Sequence, residues 1–331
     1  METRPMKHSN TARRLLTALA LAAALPCAQA AFPDKPITLY VSYAAGATTD
    51  LSARALATGA EKILGVPIAV ENKAGGGGTV AAGLAAARKP DGYTLLVGSS
   101  SALASRPFIL KTAYDLSNFE GIVQYSYFHN GSVVVRADSP FKTAEDFIAH
   151  AKANPGMSFA TAGAGGIPTG SQQMGVEALK KCRGLEFKHV PTKGGSEANT
   201  MLMGKHIDFT SGSGSHLQLV ADGVFRELVI FQKNRDENFP NVPTLKDIGC
   251  DWGYPPNATI MVSAPKGLPP AVAKRLEDAF TQVIQSAEFR AMLKKNYLPY
   301  DFRDSKALNR DLKFEYDWYK DYFQKSGVLK N

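Results

Sequence analysis

The residues best placed to do chemistry in this chain are small ones, gathered where strands give way to helices. Residues 44–50 read Ala-Ala-Gly-Ala-Thr-Thr-Asp, and residues 161–170 read Thr-Ala-Gly-Ala-Gly-Gly-Ile-Pro-Thr-Gly. Side chains this short expose backbone amides, and a loop running into a helix start adds unpaired N–H groups and the positive end of the helix dipole. Such a loop favours an anion. Residues 45–50 (Ala45, Gly46, Ala47, Thr48, Thr49, Asp50) and residues 162–170 would each form one seat, although either alone would also serve as an ordinary tight turn. Two seats in successive α/β units suit a crevice that grips a dianion at both ends. Asp50, near a helix start, reads as a cap or an organiser of water.

Rival chemistries have weaker support. Gly76-Gly77-Gly78-Thr79-Val80-Ala81 satisfies the dinucleotide pattern G-x-G-x-x-A and precedes a helix. However, the preceding strand ends near Val70, too early for the tight turn, and no acidic residue follows ~20 positions on. Gly163-Ala164-Gly165 fails the same pattern because Pro168 holds the third glycine place. Ser213, Ser215 and His216 invite a nucleophile-and-base reading, yet no G-x-S-x-G elbow is present. His129, His150, His189 and His206 are scattered without i, i+4 pairs, which leaves no zinc signature. The expectation is therefore a binding protein with no cofactor and no metal.

The elements that must position the loops alternate along the chain. Ile37, Leu39, Val41 and Tyr43 alternate with polar residues as a strand, and from Leu51 the apolar positions take helical spacing until Gly65-Val66-Pro67. Short strands follow at 68–70 and 93–97, with an Ala-rich helix at 80–88 between them. A second series begins near Val133, with Thr143 as the N-cap of the next helix. It continues through a strand ending near Ala160, a helix over about 171–181, and strands at 187–190, 207–210 and 228–231. The alternation argues for mostly parallel sheets covered by helices. Two apolar stripes close the chain, Val272, Leu276, Phe280, Val283 and Ile284, then Leu308, Leu312, Tyr316, Tyr319 and Phe323, both expected to pack onto the first lobe.

Length and ends bound the rest. A chain of 331 residues exceeds the usual ~100–200 of one domain. Lys7, Arg13 and Arg14 precede an apolar run over 15–25 that ends in Ala28-Gln29-Ala30, the plan of a secretory signal peptide cut before Ala31. The run is too short to span a bilayer. The formal net charge of +8 stays positive after loss of that leader, which suits solubility and a mild field for anions. No dense Lys/Arg stripe points to nucleic acid. Cys182 and Cys250 remain, and their spacing leaves both a bridge and free thiols open.

With loops and order in view, the chain resembles the Bug or TctC-like extracytoplasmic solute receptors, the substrate-binding subunits of tripartite tricarboxylate transporters. The segments that carry the resemblance are Phe32-Pro33-Asp34-Lys35-Pro36-Ile37, Gly46-Ala47-Thr48-Thr49-Asp50 and Val70-Glu71-Asn72-Lys73-Ala74-Gly75-Gly76-Gly77. To these add Lys89-Pro90-Asp91-Gly92-Tyr93-Thr94-Leu95-Leu96, His189-Val190-Pro191-Thr192-Lys193-Gly194-Gly195 and Ala264-Pro265-Lys266-Gly267. Six in order span the mature chain.

The resemblance implies an α/β chain of the type II periplasmic-binding-protein fold. Two α/β lobes would be joined by two crossover strands, near 123–128 and 252–259, with the ligand cleft between. The expected division is a signal peptide over 1–30, the first lobe over 31–128 and 254–331, and the second over 129–253. Carried over, the first seat is 45–50 with Ser99 and Ser100. The second is Gly163, Ala164, Gly165, Gly166 and Thr169 with Lys193, Ser211 and Ser213. Some positions depart from the family: Ala44-Ala45-Gly46 stands for the usual Pro-Gly-Gly, Ala164 for a common Asn, and Thr192 for a usual Tyr. The implied partners are a small organic carboxylate and the membrane subunits of a tripartite transporter, with the receptor a periplasmic monomer. A sensor module for a membrane kinase, or an enzyme on this fold using Ser213 or His216, are the alternatives.

Overall fold

The computed structural model describes residues 32–129, 131–162, 171–192, 195–212, 214–232, 234–250, 257–327 and 329. In chain order come β1 (Ile37–Val41), α1 (Thr48–Leu64), β2 (Ile68–Asn72), α2 (Thr79–Ala86), β3 (Thr94–Ser99), α3 (Ser100–Ala104) and β4 (Phe119–Tyr127). There follow β5 (Ser132–Arg136), α4 (Ala144–Ala153), β6 (Met157–Ala162), α5 (Ser171–Arg183), β7 (Phe187–Thr192) and α6 (Gly195–Met203). Next are β8 (Phe209–Ser211), α7 (Leu217–Ala221) and β9 (Phe225–Ile230). The chain closes with β10 (Thr259–Pro265), α8 (Pro270–Ile284), α9 (Ala287–Lys295) and α10 (Ser305–Lys325).

The strands form two five-stranded sheets, ordered β2-β1-β3-β10-β4 and β7-β6-β8-β5-β9. In the first, β1 runs parallel to β2 and β3, while β10 lies antiparallel between β3 and β4. In the second, β6 runs parallel to β7 and β8, while β5 lies antiparallel between β8 and β9. Each sheet thus takes one reversed strand that the chain enters on crossing from the other lobe.

Register decides where the loops stand. Val41 pairs with both Asn72 and Val97, so β1, β2 and β3 finish level. Tyr127, the end of β4, pairs with Thr259 beside that same edge. In the second sheet Ala162 pairs with Thr192, and Val133 at the start of β5 pairs with Ser211 at the end of β8. Only residues 128–131 separate β4 from β5, and a fully extended link of that length covers roughly 17 Å. The carboxyl edges of the two sheets are therefore tethered close together.

Each lobe has its own core. Leu39, Leu56, Leu95, Val123, Tyr125 and Phe280 belong to the first, and Phe147, Phe159, Phe209 and Phe231 to the second. Helix α1 buries Ala53, Leu56, Ala57, Ala60 and Leu64, the i, i+3, i+4 face expected of an amphipathic helix. Gly59 lets it approach α8, where a Cβ would come within 2.6 Å of Val283 Cγ1.

Several local expectations shift. Helix α1 begins at Thr48 rather than Leu51, and β2 reaches Asn72 instead of stopping at Val70, because both ends are held by one side-chain network described below. A separate helix, α9, follows α8. The last stripe packs on the first lobe through Leu308 and Leu312 and, at Phe108, through Tyr316 and Phe323, while Tyr319 and Phe323 also meet Met174 of α5, in the other lobe. Cys182 and Cys250 form a disulfide, with Cα atoms 5.8 Å apart, that ties α5 to the segment after β9. The expected second crossing at 252–259 lies partly outside the described residues.

Candidate functional site

The first-lobe wall is built on the start of α1. Its N-cap, Ala47, supplies no side-chain acceptor, so the amides of Thr48, Thr49 and Asp50 are the donors that a helix start leaves without intrahelical partners. The Leu51 amide bonds the Ala47 carbonyl at 3.0 Å. Two loop amides are committed inward: Ala47 N–H donates to the Ala44 carbonyl at 3.1 Å, and Gly46 N–H to Asp50 Oδ2 at 2.8 Å. Among the described residues, no partner is seen for the amides of Ala45 and Thr48 through Asp50.

Asp50 organises this loop from within. It is 2% exposed and accepts from Gly46, from Arg54 Nε at 3.1 Å and from Asn72 Nδ2 at 2.8 Å. Asn72 Nδ2 also donates to the Tyr43 carbonyl at 3.0 Å, and Arg54 Nη2 donates to Asn72 Oδ1 at 3.0 Å. Burial works against the charged carboxylate, yet Arg54, the Gly46 amide and Asn72 together hold its pKa below the usual range. The ring of bonds extends β2 to Asn72 and fixes the loop to it.

The end of β3 divides its serines by role. Ser99 caps α3, its Oγ accepting from Ser101 N–H at 3.2 Å and lying 2.7 Å from Ser101 Oγ. Ser100 has no solvent exposure; its Oγ accepts from Thr259 N–H at 2.9 Å and bonds the buried carboxyl of Glu315 in α10. Its hydroxyl is spent on tying β3 to the returning strand. The Tyr43 hydroxyl hydrogen-bonds the Ser99 side chain, and its ring packs 5.6 Å from Phe128 in the crossing segment.

In the second lobe, Ser211 is 1% exposed and donates its hydroxyl to the Gln172 carbonyl at 3.0 Å, anchoring the first turn of α5. Gly163, Ala164, Gly165, Gly166, Thr169, Lys193 and Ser213 lie outside the described residues. Their flanks are described: β6 ends at Ala162, β7 at Thr192, and α5 starts at Ser171, all at the carboxyl edge of the sheet. Thr192 Oγ1 donates to the Thr161 carbonyl at 2.7 Å, so this residue also serves the frame.

Two histidines are held by acidic partners. His216 is fully buried, its Nε2 3.0 Å from Glu227 Oε1 and 3.5 Å from Ser132 Oγ. Its ring stands so close over Gly212 that a Cβ there would meet Cε1 at 2.2 Å. His129 Nδ1 pairs with Asp236 at 3.2 Å beside the crossing. Among the described residues no group of three or more His, Cys, Asp or Glu could hold a metal ion. In the glycine run, Gly75 to Gly78 all take positive φ, and the guanidinium of Arg106 lies against Gly77.

Sequence reasoning missed Asn72, Arg54, Glu315 and Arg106. Only Glu315 left a readable signal, since it sits three residues after Leu312 and four before Tyr319 on an apolar stripe.

Comparison with known proteins agrees with this architecture. A UPF0065 protein from the gbd 5′ region of Cupriavidus necator is 38% identical over 84% of this chain and 84% of its own length. The solved periplasmic binding protein BugD superposes with a TM-score of 0.76 at 25% identity, covering 91% of this chain and 100% of BugD. MatC from Rhodopseudomonas palustris, solved with bound malate, shares the fold with a TM-score of 0.73 at 24% identity, covering 90% and 100%. The model of the tripartite tricarboxylate transporter family receptor, TctC, matches residues 52–325. With two mixed α/β lobes and that match across most of its length, the chain belongs to the TctC family of solute-binding receptors.

Proposed function

We propose that the chain is exported, loses residues 1–30, and captures a small carboxylate between lobes spanning 31–128 with 254–331 and 129–253. The closed form then delivers its solute, as a monomer, to the membrane subunits of a tripartite transporter. The observation that carries this reading is the start of α1, uncapped by any side chain and presented at a sheet edge tethered to the opposing edge by four residues. Family membership and the malate held by a protein of the same fold support a carboxylate as the ligand. The Cys182–Cys250 bridge supports an oxidising compartment. The proposed contacts are Ala45, Thr48, Thr49 and Asp50 through their amides and Ser99 in the first lobe. The second lobe contributes Gly163, Ala164, Gly165, Gly166, Thr169, Lys193 and Ser213. Gly46, Ala47, Ser100 and Ser211 serve as their supports. The chemistry is binding: backbone donors orient an anion, and no group in the described wall acts as a nucleophile.

A thermal-shift panel of mono- and dicarboxylates tests this. A true ligand at 100 times its Kd should stabilise the protein by ~2.7 kcal/mol. A panel in which no organic acid shifts the melting point would remove the assignment.

A further inference from the structure

Four residues, 128–131, carry the chain from the first lobe to the second, and two hydrogen bonds fix where that link can bend. Phe128 N–H donates to the Ala258 carbonyl at 2.8 Å, beside β10 of the first lobe. Phe231 N–H donates to the Gly131 carbonyl at 2.8 Å, at the end of β9 in the second. Gly131 is packed against its own lobe: at φ 100°, a Cβ there would stand 2.8 Å from Gln172 Cα. With both ends held, rotation within this link falls to the bonds around residues 129 and 130. His129 occupies that pivot. Its side chain is 8% exposed, and Nδ1 lies 3.2 Å from Oδ2 of Asp236, whose side chain is 2% exposed in the segment after β9. Asp236 is fixed in turn, since Oδ1 accepts from the Asn238 amide at 2.7 Å and from Asn238 Nδ2 at 3.1 Å.

Neither His129 Nε2 nor Asp236 Oδ2 has a hydrogen-bond partner among the described residues. What draws the pair together is therefore charge, and an imidazole gains or loses its charge in the physiological range. The other titratable groups around it are mostly acids. Glu227 of β9, 3.0 Å from His216 Nε2, feels His129: burial raises the Glu227 carboxyl, but the His216 bond and charge, a Ser132 bond and the charge of His129 hold it below the usual range. On the first-lobe side the Tyr127 ring stands 6.5 Å from the imidazole. Burial and the fields of Asp236, Asp301 and Glu237 push that phenol up to about 12.

We infer that His129 is the positioning residue of the hinge: carrying a proton, its pair with Asp236 holds the pivot, sets the spacing of the lobes and through that spacing the affinity for solute. The effect on binding rests on the receptor reading above, whereas the effect on lobe spacing does not. A contact at the pivot touches no ligand atom; it shifts capture by favouring one lobe arrangement over another.

The test compares wild type, His129→Gln and Asp236→Asn over about pH 5.5 to 9, a range that spans imidazole titration. Calorimetric titration uses the best acid of the thermal-shift panel, and small-angle scattering follows the ligand-free protein. Gln removes the titrating group; Asn removes the negative charge and keeps the oxygen that holds Asn238. The ratio of variant to wild-type Kd at each pH cancels titration of the acid itself. For both variants that ratio should change by at least about 5-fold across the range, the lower end of coupling between sites. The double variant should add nothing to either single one. The wild-type radius of gyration should move with pH, and those of the variants should not. A ratio constant with pH, or effects that add in the double variant, would overturn the inference; if one variant does not fold, the other decides alone. A wild-type radius that is flat across the range overturns it without any variant. A wild type that binds none of the acids removes the receptor reading, and scattering then decides: a radius that moves only in wild type upholds the pivot role, and equal profiles overturn it.

Discussion

Glu315 shows how much one side chain can set at the residue scale. It is 3% exposed on α10, bonded to Ser100, and its burial pushes the carboxyl from the usual 4.5 up to about 8. A carboxyl whose folded pKa is raised keeps its proton in the native state after the unfolded chain has lost it, so stability falls as pH rises from 4.5 to 8. The full cost across that window is on the order of 5 kcal/mol. Glu315→Gln, neutral at every pH, should match wild type near pH 4.5 and exceed it by about 3 kcal/mol near pH 7. Denaturant midpoints from pH 4 to 9 measure this; parallel curves for the two proteins would show that the carboxyl is not isolated in this way. Asp50 is the opposite case. Its burial is outweighed by three donors, and it works as an anion whose task is to aim the loop's amides.

At the scale of elements, the contact between α1 and α8 is the most exacting. Replacing a helical glycine with alanine normally stabilises by about 1 kcal/mol. At Gly59 the added methyl would meet Val283 Cγ1 at 2.6 Å and Cγ2 at 2.8 Å, and a β-branched side chain has few other rotamers in a helix. Overpacking of that kind costs about 1–3 kcal/mol, which outweighs the propensity gain. Gly59→Ala should therefore lower the melting temperature, and adding Val283→Ala should restore part of it. A stabilised single variant would show that the two helices slide apart without cost.

The whole molecule is held by more than its crossing strands. Beside the hinge, Tyr127, Asn257, Tyr300, Asp301 and Arg303 of the first lobe face Gln232 and Asn234 of the second around a crevice of about 240 Å³. On α10, Tyr319 and Phe323 close over Met174 of α5. The last helix thus belongs to both lobes, and its apolar end resists their separation. Truncating a buried methionine costs about 2–5 kcal/mol where the surroundings do not collapse. Met174→Ala should loosen this contact, read as a larger radius of gyration in small-angle scattering of the ligand-free protein. An unchanged radius would mean that the crossing strands alone set the spacing of the lobes.

Alternation of strands and helices, the small-residue loops at strand ends and the amphipathic stripes were all legible in the sequence, because each depends on neighbours a few residues away. So was the family, through segments whose order survives without any contact map. Which groups of the loops stay available could not be read there. Whether Gly46 N–H meets a ligand or Asp50, whether Ser100 faces the crevice or Thr259 and Glu315, and whether Cys182 reaches Cys250 depend on pairings 4 to 215 positions apart in the chain. Arg106 reaches Gly77 for the same reason: sheet register brings the carboxyl edge together, and only then do side chains from separate strands share one space. Local periodicity determined what the elements are, whereas long-range packing decided which polar atoms each one has left to offer.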